Sequence, residues 1–214
     1  KHNCYYCPNE PNQPRSYLMD EPGVARANEC GFDCIKQFHT RLNQYKNMGH
    51  PLDKIEFEVS GGTWSEYPNE YKYEFIRDGY YAANIYYDEF PREKLSLEQE
   101  ITLNEDAKIH IIGLTIETRP DSITLDELYE FRKFNITRVQ IGVQHTNNSV
   151  LKKINRGHTI QHSMDAIKLL LDNGFKVDIH LMPMLPDSTP EMDSNMFGEV
   201  FERDMKFHSN FKQN

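Results

Sequence analysis

Two cysteines stand at the start of the chain, in Cys4-Tyr5-Tyr6-Cys7-Pro8. Thiolates at this spacing can grip one metal ion or two corners of an iron–sulfur cluster. A redox pair or half a zinc site would carry the same spacing. Cys30 and Cys34 offer a further pairing, in which four thiolates make a zinc knot. They flank the start of a helix, where small buried thiols are common, so packing is the favoured reading of that pair.

Other residues suited to chemistry follow apolar runs. Gly61-Gly62-Thr63 lies between a strand-like and a helix-like segment. Paired glycines let the backbone approach a ligand and present N–H groups to it, although a plain tight turn would look alike. Glu117 ends an apolar strand, where a carboxylate needs a partner. Arg119 could be that partner; a ribose, whose two hydroxyls a carboxylate can accept, is the alternative. Gln144 lies at the carboxyl end of another strand, Arg138–Val143. Arg156 precedes a helix cap at Thr159 and could hold a carboxylate or phosphate bidentately. His180 lies on a strand, where a satisfied core residue is the commoner role.

The elements that must position these residues alternate. Lys54–Val59, Lys108–Glu117, Arg138–Val143 and Phe175–Met182 read as strands. Helical spacing covers Phe32–Met48 and Asn69–Tyr87. Thr124 and Glu127 form a capping pattern before a helix to Phe134. Thr159 caps a helix with a stripe of Ile160, Met164, Ile167 and Leu171, and Thr189 caps a last helix with Pro190 at its first position. The opening from Cys4 to Gly31 and the acidic connector before Lys108 read as irregular. Four strands joined by helical crossovers require a parallel α/β sheet, either doubly wound or part of a barrel. In both, ligands gather at the carboxyl ends of the strands. Glu117 and Gln144 lie at such ends, and Gly61 and Gly62 just beyond one.

With 214 residues the chain can bury a substantial core, and twelve Phe, twelve Tyr and a Trp supply bulky side chains for it. No apolar run could span a bilayer, and four cysteines do not make a disulfide scaffold, so a cytoplasmic protein without a membrane partner is expected. The net charge of −9 is local. Between Glu56 and Asp106 thirteen acids face four bases, which accounts for all of it. From Phe131 to Gly157 there are six bases and no acid, so a polyanionic partner is not excluded.

The motifs taken in order resemble the catalytic subunit of Elongator. The likeness runs through Cys-Tyr-Tyr-Cys-Pro-Asn-Glu-Pro, Gly61-Gly62-Thr63-Trp64, Ile116-Glu117-Thr118-Arg119-Pro120-Asp121, Gly142-Val143-Gln144, Asn155-Arg156-Gly157-His158-Thr159 and His180-Leu181-Met182-Pro183. The resemblance implies a radical S-adenosylmethionine enzyme that carboxymethylates the wobble uridine of tRNA at C5, with acetyl-CoA as co-substrate. It implies an α/β fold, a partial parallel (β/α) barrel lacking outer strands. On this reading residues 1–214 are one radical S-adenosylmethionine domain, incomplete at both ends and without the family's C-terminal acetyltransferase domain.

Roles follow by the same resemblance. Cys4 and Cys7 match two of the three cysteines of a [4Fe–4S] cluster, the first being expected before Lys1. Gly61, Gly62, Thr63, Glu117, Gln144, Arg156 and His180 match positions that hold S-adenosylmethionine. Arg138, Lys152, Lys153 and His158, in the basic stretch, would meet tRNA. Elongator accessory subunits or a homodimer are the expected protein partners. A tRNA-binding scaffold without a cluster and a porphyrin-type radical S-adenosylmethionine enzyme are the competing readings.

Overall fold

A computed structural model describes residues 4–13 and 15–210, the last eight of these (203–210) by backbone alone. The elements in chain order are α1 (Pro22–Glu29), α2 (Cys34–Asn47), β1 (Lys54–Val59), α3 (Asn69–Ile85), α4 (Leu97–Asn104), β2 (His110–Thr118), α5 (Leu125–Lys133), β3 (Arg138–Gln144), α6 (Asn148–Lys153), α7 (Ile160–Asp172), β4 (Lys176–Leu181) and α8 (Pro190–Asn210). The strands form one sheet in the order β1-β2-β3-β4. β1 and β2 run parallel, with Val59 opposite Ile116 and a register shift between Ile55 and Glu56. Strand order equal to chain order, with a helix in every crossover, is the pattern of consecutive β/α units in a barrel wall.

Two compact units make up the chain. One comprises Pro8–Ile116 and Tyr129–Arg138. Its core packs α3 on β1: Ile76, Tyr80 and Ala83 are buried, as is Phe57. Phe57 meets Phe38 edge-on at 5.3 Å between ring centroids. Gly79 makes this packing possible, because a Cβ there would lie 2.2 Å from Phe57 Cε1. The Tyr-rich helix is thus a core element, with Tyr80 and Tyr81 buried.

Two elements in this unit correct the sequence reading. The opening contains α1, with Pro22 in its first turn. The acidic connector contains α4, started by a capping box in which Ser96 and Gln99 satisfy each other's backbone N–H. Glu100 of α4 is fully buried, and Arg92 holds it bidentately at 2.7 Å through both terminal nitrogens. Asn84 and the Leu95 N–H fill its remaining acceptor positions. Asn104 extends the network to the start of β2 by bonding the Ile109 carbonyl and the Ile111 N–H. Part of the excess negative charge is therefore internal and neutralised.

The other unit comprises Lys1–Cys7, Glu117–Leu128 and Val139–Asn214. Val139, Ile141 and Val143 of β3 are buried in it. α6, a short helix absent from the sequence reading, is capped by the Asn147 side chain. Val150, Leu151 and Ile154 from this segment cluster with Leu185, and Tyr6 and Met192 pack against them. On α7 the buried face is Ser163, Ala166, Ile167 and Leu170. The expected stripe of Ile160, Met164 and Leu171 is only half-buried, one step round the helix. No helix among the described residues is long and apolar enough to cross a membrane.

Candidate functional site

The cysteine loop is held within its own unit by backbone and side chain together. Cys7 N–H bonds the Cys4 carbonyl at 3.3 Å, which folds the C-x-x-C into a turn. Tyr5 N–H bonds the Ile154 carbonyl at 3.1 Å, which seats the loop on the end of α6. Cys4 is buried and Cys7 half-buried. Between them the Tyr6 hydroxyl donates to Gln144 Oε1 at 2.9 Å. Burial pushes the Tyr6 phenol up to about 12, with Cys4 and Cys7 adding to the rise, so it remains a donor at neutral pH.

Arg156 completes this grouping. Its Nη1 lies 3.7 Å from Cys4 Sγ, and its Nη2 donates to the Gly142 carbonyl at 2.8 Å. Its Nε is buried without an acceptor. Gly142 clears the end of β3 for both side chains. A Cβ there would stand 2.5 Å from Arg156 Nη2 and 2.9 Å from Gln144 Nε2.

Arg119 does not neutralise Glu117, contrary to one reading of the sequence. It bonds Asp121 through Nε at 2.9 Å and donates to the Arg156 carbonyl. Burial alone would raise the Asp121 carboxyl, but the Arg119 guanidinium holds it below its ordinary value. Glu117 instead faces His180, whose Nδ1 is 3.7 Å from Oε1. The His180 side chain is 43% exposed, so it is not the core residue a strand position favoured.

His158 is buried, 3.8 Å through Nδ1 from Asp121. Burial, then Arg156 and Arg119, push its pKa down to about 3. At 5% exposure His158 presents almost no surface to a phosphate, which argues against the RNA-surface role expected for it. Lys152 and Lys153 are exposed on α6, and Lys153 pairs with Asp187 at 3.2 Å. Arg138 begins β3, at the opposite end of the strand from Gln144. The basic stretch is therefore spread over the last turn of α5 (Arg132, Lys133), the start of β3 (Arg138), the exposed lysines of α6 and the buried Arg156.

Gly61, Gly62 and Thr63 belong to the other unit, just past the end of β1. Gly61 and Gly62 have φ of +146° and +55°, conformations that L side chains rarely adopt. The turn runs into the buried Trp64, and the Tyr67 hydroxyl is 3.7 Å from where a Gly61 Cβ would stand. Cys30 and Cys34 are also in that unit. Cys34 Sγ donates to the Phe75 carbonyl at 3.3 Å, and burial raises its thiol pKa strongly, as suits a packing residue. Among the described residues no three His, Cys, Asp or Glu side chains converge as a metal set.

These features suit a thiolate-bound group beside a carboxylate or hydroxyl-rich ligand. Two thiols share one turn, a guanidinium stands beside one of them with an unused buried N–H, and an amide is held over a strand end cleared by glycine. Residues 48–197 match the family model of the radical SAM superfamily. The chain belongs to the radical SAM superfamily. Within that superfamily it is 40% identical over 199 residues to a tRNA uridine(34) acetyltransferase of Dehalococcoides mccartyi, covering 93% of this chain and 42% of that protein. It is 36% identical to human Elongator complex protein 3, again over 93% of this chain and 36% of the relative. A solved structure of Methanocaldococcus infernus Elp3 with an N-terminal deletion superposes with a TM-score of 0.77 at 40% identity, covering 82% of this chain and 40% of the other. The α/β fold as a partial radical SAM barrel agrees with that likeness. The chain thus spans about two fifths of the length of the relatives it matches.

Sequence reasoning placed Asp121 and His145 at strand ends without giving them a role, and it missed Tyr6, Ser188 and Asp193 as residues of this region. Tyr6 carried a usable signal, because it stands between two candidate ligands. Ser188 and Asp193 act through contacts with His145, far apart in sequence.

Proposed function

We propose that the chain is the cluster- and S-adenosylmethionine-binding part, residues 1–214, of a longer enzyme that carboxymethylates uridine 34 of tRNA at C5, with acetyl-CoA as co-substrate. The observation that carries this reading is the Arg156 guanidinium set between Cys4 Sγ and the Gly142 carbonyl, at 3.7 and 2.8 Å. One cation there serves both the cysteine loop and the strand end where Gln144 lies. The similarity to a tRNA uridine(34) acetyltransferase supports this choice of substrate.

Cys4 and Cys7 would supply two thiolates to a [4Fe–4S] cluster. Arg156 would meet the carboxylate of the methionine moiety, using the Nε that now has no acceptor. Glu117 and Gln144 would hold ribose hydroxyls, the backbone of Gly61, Gly62 and Thr63 the methionine amino end, and His180 the adenosyl side. When bound, the two cofactors supply one-electron, hydrogen-abstracting chemistry, and the chain supplies orientation and shielding from water. Lys152, Lys153 and Arg138 would contact tRNA phosphates, and accessory subunits or a second copy would complete the assembly.

The test is anaerobic reconstitution of the full-length protein with iron and sulfide. Visible absorption of a [4Fe–4S] centre is expected, lost in Cys4→Ala and Cys7→Ala. Reduction with S-adenosylmethionine should release 5′-deoxyadenosine. If the full-length protein takes up no iron yet binds tRNA, the scaffold reading replaces this one.

A further inference from the structure

His145 directly follows Gln144 and is 1% exposed. Both ring nitrogens are engaged. Nδ1 accepts the Asn147 N–H at 2.9 Å, so the proton sits on Nε2. Nε2 is 3.2 Å from Ser188 Oγ and 3.3 Å from Asp193 Oδ1. The Ser188 hydroxyl donates to that same Asp193 oxygen, and Oδ2 accepts the Met184 N–H at 2.8 Å. The Ser188 hydrogen bond, then the Met184 N–H, keep the Asp193 carboxyl below its ordinary value.

Serine, histidine and aspartate together suggest nucleophilic catalysis, but this geometry does not support it. A nucleophilic serine needs a free basic nitrogen to take its proton. Here Nε2 is protonated, Nδ1 is occupied, and the serine proton points at the carboxylate. The knot is mechanical. It ties the turn after β3 to the loop between β4 and α8.

Gln144 needs such a tie. Its φ is +72°, and the His145 N–H bonds the Val143 carbonyl at 3.0 Å across it. This is the rare, strained form of γ-turn. Strained backbone persists where its surroundings over-determine it. The Gln144 carbonyl accepts the Met182 N–H at 2.8 Å, and the anchored His145 ring fixes the next residue. Relaxation to negative φ would swing the Gln144 amide away from Tyr6 and the end of β3.

We propose that the His145–Ser188–Asp193 knot is the positioning element of the ligand site, with His145 holding the strained turn so that the Gln144 amide stays aimed. The ligand half of this statement rests on the proposed role of Gln144.

Two readouts test it. The first is amide hydrogen exchange of this chain. His145→Leu and the milder Ser188→Ala should speed exchange at residues 143–147 about tenfold and leave α7 unchanged. Adding Gln144→Gly to His145→Leu should restore slow exchange, because glycine adopts positive φ without strain. The second is the affinity of the reconstituted full-length protein for S-adenosylmethionine. About a tenfold loss is expected in His145→Leu, with substantial recovery in His145→Gln, which keeps a donor for Asp193. If His145→Leu does not fold, Ser188→Ala carries both measurements. Unchanged exchange at the turn, or equal acceleration in α7, overturns the proposal. So does faster exchange with unchanged affinity. A wild-type protein that binds no S-adenosylmethionine overturns the proposed function and the ligand half of this inference, whereas the exchange result stands apart from it.

Discussion

The Tyr6 hydroxyl reaches Gln144 Oε1 at 2.9 Å although 138 positions separate them in the chain. That bond fixes the cysteine loop relative to the end of β3. It also occupies the amide oxygen and leaves Gln144 Nε2 to donate. Tyr6→Phe should therefore cost about 1–2 kcal/mol, the lost bond plus an acceptor left inside without one. Urea unfolding of the two proteins measures this directly, and a change under about 0.3 kcal/mol would show the bond idle.

His158 makes stability depend on pH in a definite direction. Its folded pKa of about 3 lies far below the ordinary histidine value, so between the two the unfolded chain binds more protons. The stabilisation is complete above about pH 6.5 and is lost as pH falls from there toward 3. The slope approaches ~1.4 kcal/mol per pH unit in the middle of that window. In His158→Asn, thermal unfolding followed from pH 7 to pH 4 should show a flatter decline than in the wild type.

The elements legible in the sequence were those with strong local periodicity. Lys-Ile-Glu-Phe-Glu-Val alternates and is β1 with the expected bounds, and Arg138–Val143 is β3 save for one residue. α4 was hidden because its acids suggested a solvated linker, although Ser96 and Gln99 carried the capping signal. The acid that decides that helix, Glu100, is paid for by Arg92, eight residues back and outside any helical spacing. Within the site, Cys4 and Arg156 could be named from their residue types, and Gln144 from its place at a strand end and the family resemblance. His145 could not, because its meaning comes from Ser188 and Asp193, 43 and 48 positions on.

Glu100 itself gives a third expectation. It is fully buried with its carboxylate held by Arg92, Asn84 and the Leu95 N–H. Removing one partner from a buried pair leaves a charge stranded. Because Arg92 is one-third exposed, it can recover some hydration, so Glu100→Ala should cost nearer the lower end of about 3–5 kcal/mol. Burial alone would raise the Glu100 pKa, but Arg92 and the other donors hold it below the ordinary value. Its stabilisation is present above about pH 4.3 and fades as acid carries the solution through the folded value. Chemical denaturation of Glu100→Ala and wild type at pH 7 and pH 3.5 should show the difference shrinking in acid.

The exposed lysines of α6 differ in their surroundings. Lys153 shares its charge with Asp187 at 3.2 Å, and both side chains are more than half exposed. Lys152→Ala should therefore weaken tRNA binding by the full-length protein more than Lys153→Ala does. Each true phosphate contact removed lowers the slope of log affinity against log salt by about one. Filter binding at several salt concentrations reads that slope. Equal slopes in wild type and both variants would remove α6 from the proposed RNA surface.

The bare backbone at Gly142 makes three positions answer to one another. The space a methyl group would need at 142 is already filled by the ends of Arg156 and Gln144. Gly142→Ala therefore forces the ends of Arg156 and Gln144 to shift, and costs less once those side chains have been shortened. Substitutions at 142, 144 and 156 are therefore non-additive, and single changes do not predict their combinations.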